Sequence, residues 1–207
     1  MKELKKKSTT YLLFLDACLY LHRRLLEADK WIEKKQKESS KKDYITITAL
    51  ERDELFEFPN IQLISPFIIV VFAGMFLEAF IFDYASSRLS KSYVKKYLDK
   101  LDMSSKWIVI PKLTTNKNFP PQSEAFSFLQ EISSQRNKFV HYKSKFFNPN
   151  DLDIDNSEWK KAKDLSMRCV KGLKLLLTEL INLEEKSEDI EKLLDYINSK
   201  SKYLKNK

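Results

Sequence analysis

From Thr10 to about Lys37, apolar residues return at helical spacing, at Leu12, Leu15, Leu19 and Leu26. A Ser8-Thr9-Thr10 cluster in front of them is able to cap the start, so a long first helix is expected. Glu38 to Asp43 is a polar break. Tyr44 to Thr48 (YITIT) alternates in the manner of a short strand, and the stretch near 44–58 is expected to be irregular or β. A second long helix is expected from Ser65 and Pro66, a good cap followed by a good first-turn residue, to about Leu89. Its middle, PFIIVVFAGMFLEAFIF from Pro66 to Phe82, is apolar all round except for Glu78. That suits the central helix of a bundle. A bilayer span is the alternative, but the run is slightly short and Glu78 in hydrocarbon is costly.

A shorter helix is expected from Ser90 to Leu101. Ser104 and Ser105 then introduce a tryptophan-bearing segment, Lys106 to Leu113, closed by Pro111 and a polar loop with Pro120 and Pro121. Ser123 opens a helix to about Tyr142, and a loop over Lys143 to Asn156 precedes a long helix from Glu158 to Lys186. The last helix, Glu188 to Tyr203, runs into a lysine-rich tail. The pattern predicts an all-α, antiparallel bundle of about five to seven helices. It forms one domain over 1–207, with a core over about 10–186 and basic, mobile ends at 1–7 and 200–207.

Composition narrows the function. Two glycines and six prolines in 207 residues are too few for the hairpins of a many-stranded fold. With glycine only at Gly74 and Gly172, no phosphate-cradling loop is possible, which removes P-loop, Rossmann and kinase chemistry. The only histidines are His22 and His141, so no HExxH exists, and Cys18 and Cys169 are far apart without a CxxC pair. Neither a metal nor a cofactor is expected, and both cysteines read as core residues. The start, Met-Lys-Glu-Leu-Lys-Lys-Lys, lacks the apolar region of a secretory signal, so a cytoplasmic protein with reduced thiols is expected.

The helix opened by Ser123 carries the chemistry. On a wheel, Ala125, Phe128, Leu129, Ile132, Phe139 and Val140 form an apolar stripe with Arg136 at its centre. A guanidinium there needs a partner: a core carboxylate, for which Glu78 is the candidate, a partner subunit's cleft, or a bound anion. Asn137 and His141 are spaced i, i+4, which lets the amide meet the imidazole. Arg136 and His141 lie about 140° apart on an ideal helix, so they converge only if the helix ends there or a second subunit completes the site.

Arg136-Asn137-x-x-x-His141 resembles the Arg-x(4 to 6)-His signature of the HEPN superfamily, in which a polar residue often follows the Arg. The context is similar over about residues 65 to 145: an apolar helix with an embedded acid (FLEAF, Glu78), then LDMSSKWIVIPKL, then the motif helix. The resemblance implies a metal-independent endoribonuclease with a composite site at a homodimer cleft, in a toxin–antitoxin or antiphage setting with an antitoxin or regulatory partner. It implies that His141 moves the proton of the attacking 2′-hydroxyl or of the leaving 5′-oxygen, a role that suits an imidazole near neutral pH. Arg136 would stabilise charge on the phosphoryl oxygens, and Asn137 would orient the imidazole or the phosphate. The products would be a 2′,3′-cyclic phosphate and a 5′-hydroxyl. In toxin members paired with a nucleotidyltransferase, a modifiable tyrosine stands two residues after the His; here Lys143 occupies that place and Tyr142 stands one earlier. A non-catalytic HEPN-like module that binds a protein or nucleotide is the alternative.

The net charge of +8 comes mostly from the ends, since residues 1–7 carry +3 and 200–207 carry +4. Within the nearly neutral remainder, residues 132–150 hold Arg136, Lys138, Lys143 and Lys145 and no acid. Lys138, Tyr142, Lys143 and Lys145 are therefore expected to bind RNA around the motif.

Overall fold

The computed structural model describes residues 10–39, 49–141, 154–184 and 187–202. Every regular element among them is helical, as the sequence predicts. In chain order they are α1 (Thr10–Ser39), α2 (Ala49–Arg88), the single turn α3 (Lys91–Tyr93), α4 (Met103–Thr115), α5 (Glu124–Val140), α6 (Ile154–Leu183) and α7 (Glu188–Lys202). A π-helical turn, Val94–Leu98, follows α3 directly.

Side-chain pairs fix the directions. Tyr11 meets Phe76 and Phe80, Phe14 stacks on Phe72, and Trp31 meets Phe58, so α1 and α2 run antiparallel along their whole overlap. Polar contacts of Arg24 with Glu57, Trp31 with Glu54 and Gln62 with Asp29 follow the same register. The pairs Cys18 with Cys169 and Asp29 with Lys163 set α6 antiparallel to α1. Lys171 with Glu124 and Arg168 with Glu131 set α5 antiparallel to α6. The result is a four-helix core of α1, α2, α5 and α6, with α4 against α2 and α7 against α6 and α1. One contiguous apolar cluster fills it, with Phe76, Ile81, Trp107, Leu129, Leu173 and Leu177 among its buried members.

The second helix differs most from expectation. It begins at Ala49, so residues 49–58, expected to be irregular or β, are helical, while 40–48 lie outside the described residues. Pro59 and Pro66 sit inside it. Each deletes one backbone donor. Trp31, Arg24 and Asp29 of α1 hold the extra turns in place, a tertiary gain that no local signal reports. Pro111, likewise expected to close its segment, lies inside α4, whose cap is Asp102 rather than Ser104 or Ser105. The Ser105 amide and hydroxyl donate to the Asp102 carboxylate and hold it below the usual carboxylate range.

Both glycines of the chain serve α5. A Cβ on Gly74 of α2 would stand 3.0 Å from Cγ of Arg136, and one on Gly172 of α6 would stand 2.4 Å from the Phe128 ring. The bare backbone lets α5 settle between α2 and α6. By length and composition α2 is apolar enough to cross a membrane over Asp53–Arg88, and more than half of its most apolar stretch is buried against the other helices.

Candidate functional site

Helix α5 starts where the Ser123 hydroxyl accepts the Phe126 amide at 3.1 Å, and it ends at His141. Ala125, Phe128, Leu129 and Ile132 of the apolar stripe are buried, whereas Phe139 is half-buried against Phe67 and Val140 is 51% exposed. The stripe therefore reaches the core only through its first two-thirds. Val140 lies beyond it.

Arg136 crosses α2 over Gly74. Its Nη2 donates to Oε2 of Glu78 at 3.1 Å and its Nη1 to Oδ1 of Asn137 at 3.0 Å. Its Nε is buried and has no partner. The core-carboxylate partner expected for Arg136 is thus Glu78. Asn137 turns its side-chain oxygen to the guanidinium, not to the imidazole. His141 caps the helix at φ −107° and ψ 20°, with its amide donating to the Asn137 carbonyl at 3.0 Å. Its residue is exposed, and among the described residues its imidazole has no hydrogen-bond partner. The structure therefore brings together Arg136, Asn137 and Glu78, and it leaves His141 at the helix end.

The sequence reading missed Lys106. This residue, 3% exposed, is the one buried lysine among the described residues. Its Nζ donates to Oε1 of Glu78 at 3.2 Å and lies 3.7 Å from Asp99. An ammonium so placed is tolerated only when paired. The π-turn, closed by the Asp99 amide on the Val94 carbonyl at 3.0 Å, brings Asp99 to it. A continuous chain of charge runs Arg136, Glu78, Lys106, Asp99. The only sequence hint was that Lys106 falls one turn after the Asp102 cap, beside the core residues Met103, Trp107 and Ile110.

An open groove of about 510 Å³ lies over this chain, lined by Phe14, Met75, Phe82 and the charged residues Glu78, Asp83, Lys91, Asp99 and Arg136. Three acids and two bases line it, so the groove is slightly acidic rather than basic. Lys138, expected to bind RNA, is half-exposed and lies 3.7 Å from Glu158 of α6. Tyr142, Lys143 and Lys145 lie outside the described residues. Among the described residues no group of His, Cys, Asp and Glu has metal-holding geometry. No protein-family model, no curated protein and no solved structure matches the chain.

Proposed function

We propose that the chain is a metal-independent endoribonuclease of the HEPN type, acting as a homodimer in a toxin–antitoxin or antiphage setting. The observation that carries the reading is the placement of Arg136. The residue of the Arg-Asn-x-x-x-His motif that needs a partner lines an open groove, one quarter exposed, and is held from below by Glu78. Its motif companion His141 stands exposed where α5 ends. Its amide still bonds the Asn137 carbonyl in helical register, so the wheel spacing holds and the two side chains meet at one phosphate only across a second copy.

In the reaction, the RNA's 2′-hydroxyl oxygen attacks the adjacent phosphorus and the 5′-oxygen leaves. His141 takes the hydroxyl proton in one copy or supplies the leaving group's proton in the other. Arg136 donates to the phosphoryl oxygens as they gain charge, which requires it to share or exchange its bond to Asn137. The apolar residues Leu63 and Ile64, one turn before Phe67 on α2, and Val140, next to Phe139 on α5, are each at least half-exposed near the Phe67–Phe139 pair. They support a second copy seated next to the motif.

The experiment is cleavage of labelled RNA in EDTA by the wild-type chain, Arg136→Ala and His141→Ala. The expected result is cleavage by the wild type and a loss of about a hundredfold or more in each variant. A second reading, the non-catalytic module, is favoured by one observation: both terminal guanidinium nitrogens of Arg136 already have partners within the chain. Equal rates in all three proteins, or none, would select it.

A further inference from the structure

We infer that Lys106 is a positioning residue for the α5 site, acting on Arg136 through Glu78; the inference rests on the ribonuclease reading. Lys106 belongs to a different helix from the motif, and its hydrogen bond and ion pairs go to Glu78 and Asp99, not to a motif residue. Its place in α4 lies among Met103, Trp107 and Ile110, all buried. An apolar side chain would fill that place with no desolvation cost, so what the ammonium adds is electrostatic.

That contribution falls on one carboxylate. Oε1 of Glu78 accepts from Lys106 at 3.2 Å, and Oε2 accepts from Arg136 at 3.1 Å. Each oxygen has its own cation, so the plane of the carboxylate is fixed from both sides. Fixing it fixes where Arg136 lies over Gly74. The shared carboxylate also sets the charge facing the groove. Glu78 alone would cancel Arg136; Lys106 takes part of that carboxylate's charge and, with Lys91, Asp83 and Asp99 counted, brings the groove from one net negative charge to neutral. Asp99 is the weaker partner, at 3.7 Å and half-exposed, where solvent screens it. An anionic phosphodiester at Arg136 therefore depends on a lysine it does not touch.

The test is a double-mutant cycle on kcat/KM for RNA cleavage in EDTA, with thermal melting of each protein read alongside. Lys106→Met is expected to lower kcat/KM about tenfold in the wild-type background and less than about twofold in Glu78→Gln, since without the carboxylate the lysine has nothing to act through. Lys106→Arg, which keeps the charge, is expected to stay within about threefold of wild type. Equal losses in both backgrounds, or losses that follow the fall in melting temperature, overturn the inference. An unchanged rate for Lys106→Met overturns it while leaving the ribonuclease reading intact. No cleavage by the wild-type chain overturns both.

Discussion

Two glycines at the two flanks of α5 separate what seats the helix from what sets the site. Gly172→Ala drives a methyl to 2.4 Å from the Phe128 ring, and neither the ring nor the α6 backbone has room to move. Overpacking of that kind costs about 1–3 kcal/mol. Its melting temperature is expected to fall. Gly74→Ala meets Arg136 at 3.0 Å from Cγ and 3.2 Å from Cβ, with Ile132 in ordinary contact at 3.6 Å, so Arg136 has to give by only a few tenths of an ångström. Melting is expected to hold while RNA cleavage falls, because Arg136 is what moves; the reverse ranking in a thermal scan with a parallel activity assay would contradict this. A third residue bears on pH. Burial pushes the His22 imidazole below its ordinary 6.5, with the Met167 carbonyl pulling weakly the other way. The folded chain then binds that proton less readily than the unfolded one, so stability is full above the unfolded value and is lost as pH falls below it. Melting temperatures from about pH 7 to about pH 5 are expected to drop less steeply for His22→Leu than for wild type. Parallel curves would remove His22 from the account. None of these three roles was legible in the sequence, because each depends on a neighbour at least forty-four positions away.

Elements whose ends are set by local chemistry were legible. The Ser123 hydroxyl caps α5 as its position before an apolar-periodic run implies, and α1, α6 and α7 follow their apolar spacing. Elements whose ends are set by partners were not. Pro66 after Ser65 has the signature of a helix start, yet α2 passes through both it and Pro59 because α1 supplies Trp31, Arg24 and Asp29 along the added turns. Pro59 is exposed, so its ring adds little packing while its missing amide leaves a carbonyl one turn earlier without its helical donor. Pro59→Ala is expected to raise the melting temperature, by about 1 kcal/mol or more after the gain in unfolded-state freedom is deducted. A fall would mean that Pro59 itself supports the α1–α2 contact.

At the scale of the molecule, the fold class, the motif's position and the Arg136–Glu78 pair were legible, but the rest of the electrostatics around the motif was not. The basic stretch 132–150 looks uniform along the chain, yet in space Arg136 is shared with Glu78 and Lys138 lies beside Glu158. Acids from α2 and α6 reach it only in the folded state. A groove with no net positive charge binds a phosphodiester through a few directed bonds more than through a broad field, so a second copy supplying another Arg136 and His141 matters to the reading. Light scattering is expected to give twice the 24.5 kDa of one chain, with Leu63→Glu and Val140→Glu together returning it to the single-chain mass. The most direct test of the central claim is the chemistry of the cut ends. Mass spectrometry of a short RNA cleaved in EDTA is expected to find a 2′,3′-cyclic phosphate and a 5′-hydroxyl, no cut at a 2′-deoxy position, and neither product with His141→Ala. Ends bearing a 5′-phosphate and a 3′-hydroxyl, or the same products from His141→Ala as from wild type, would contradict the account.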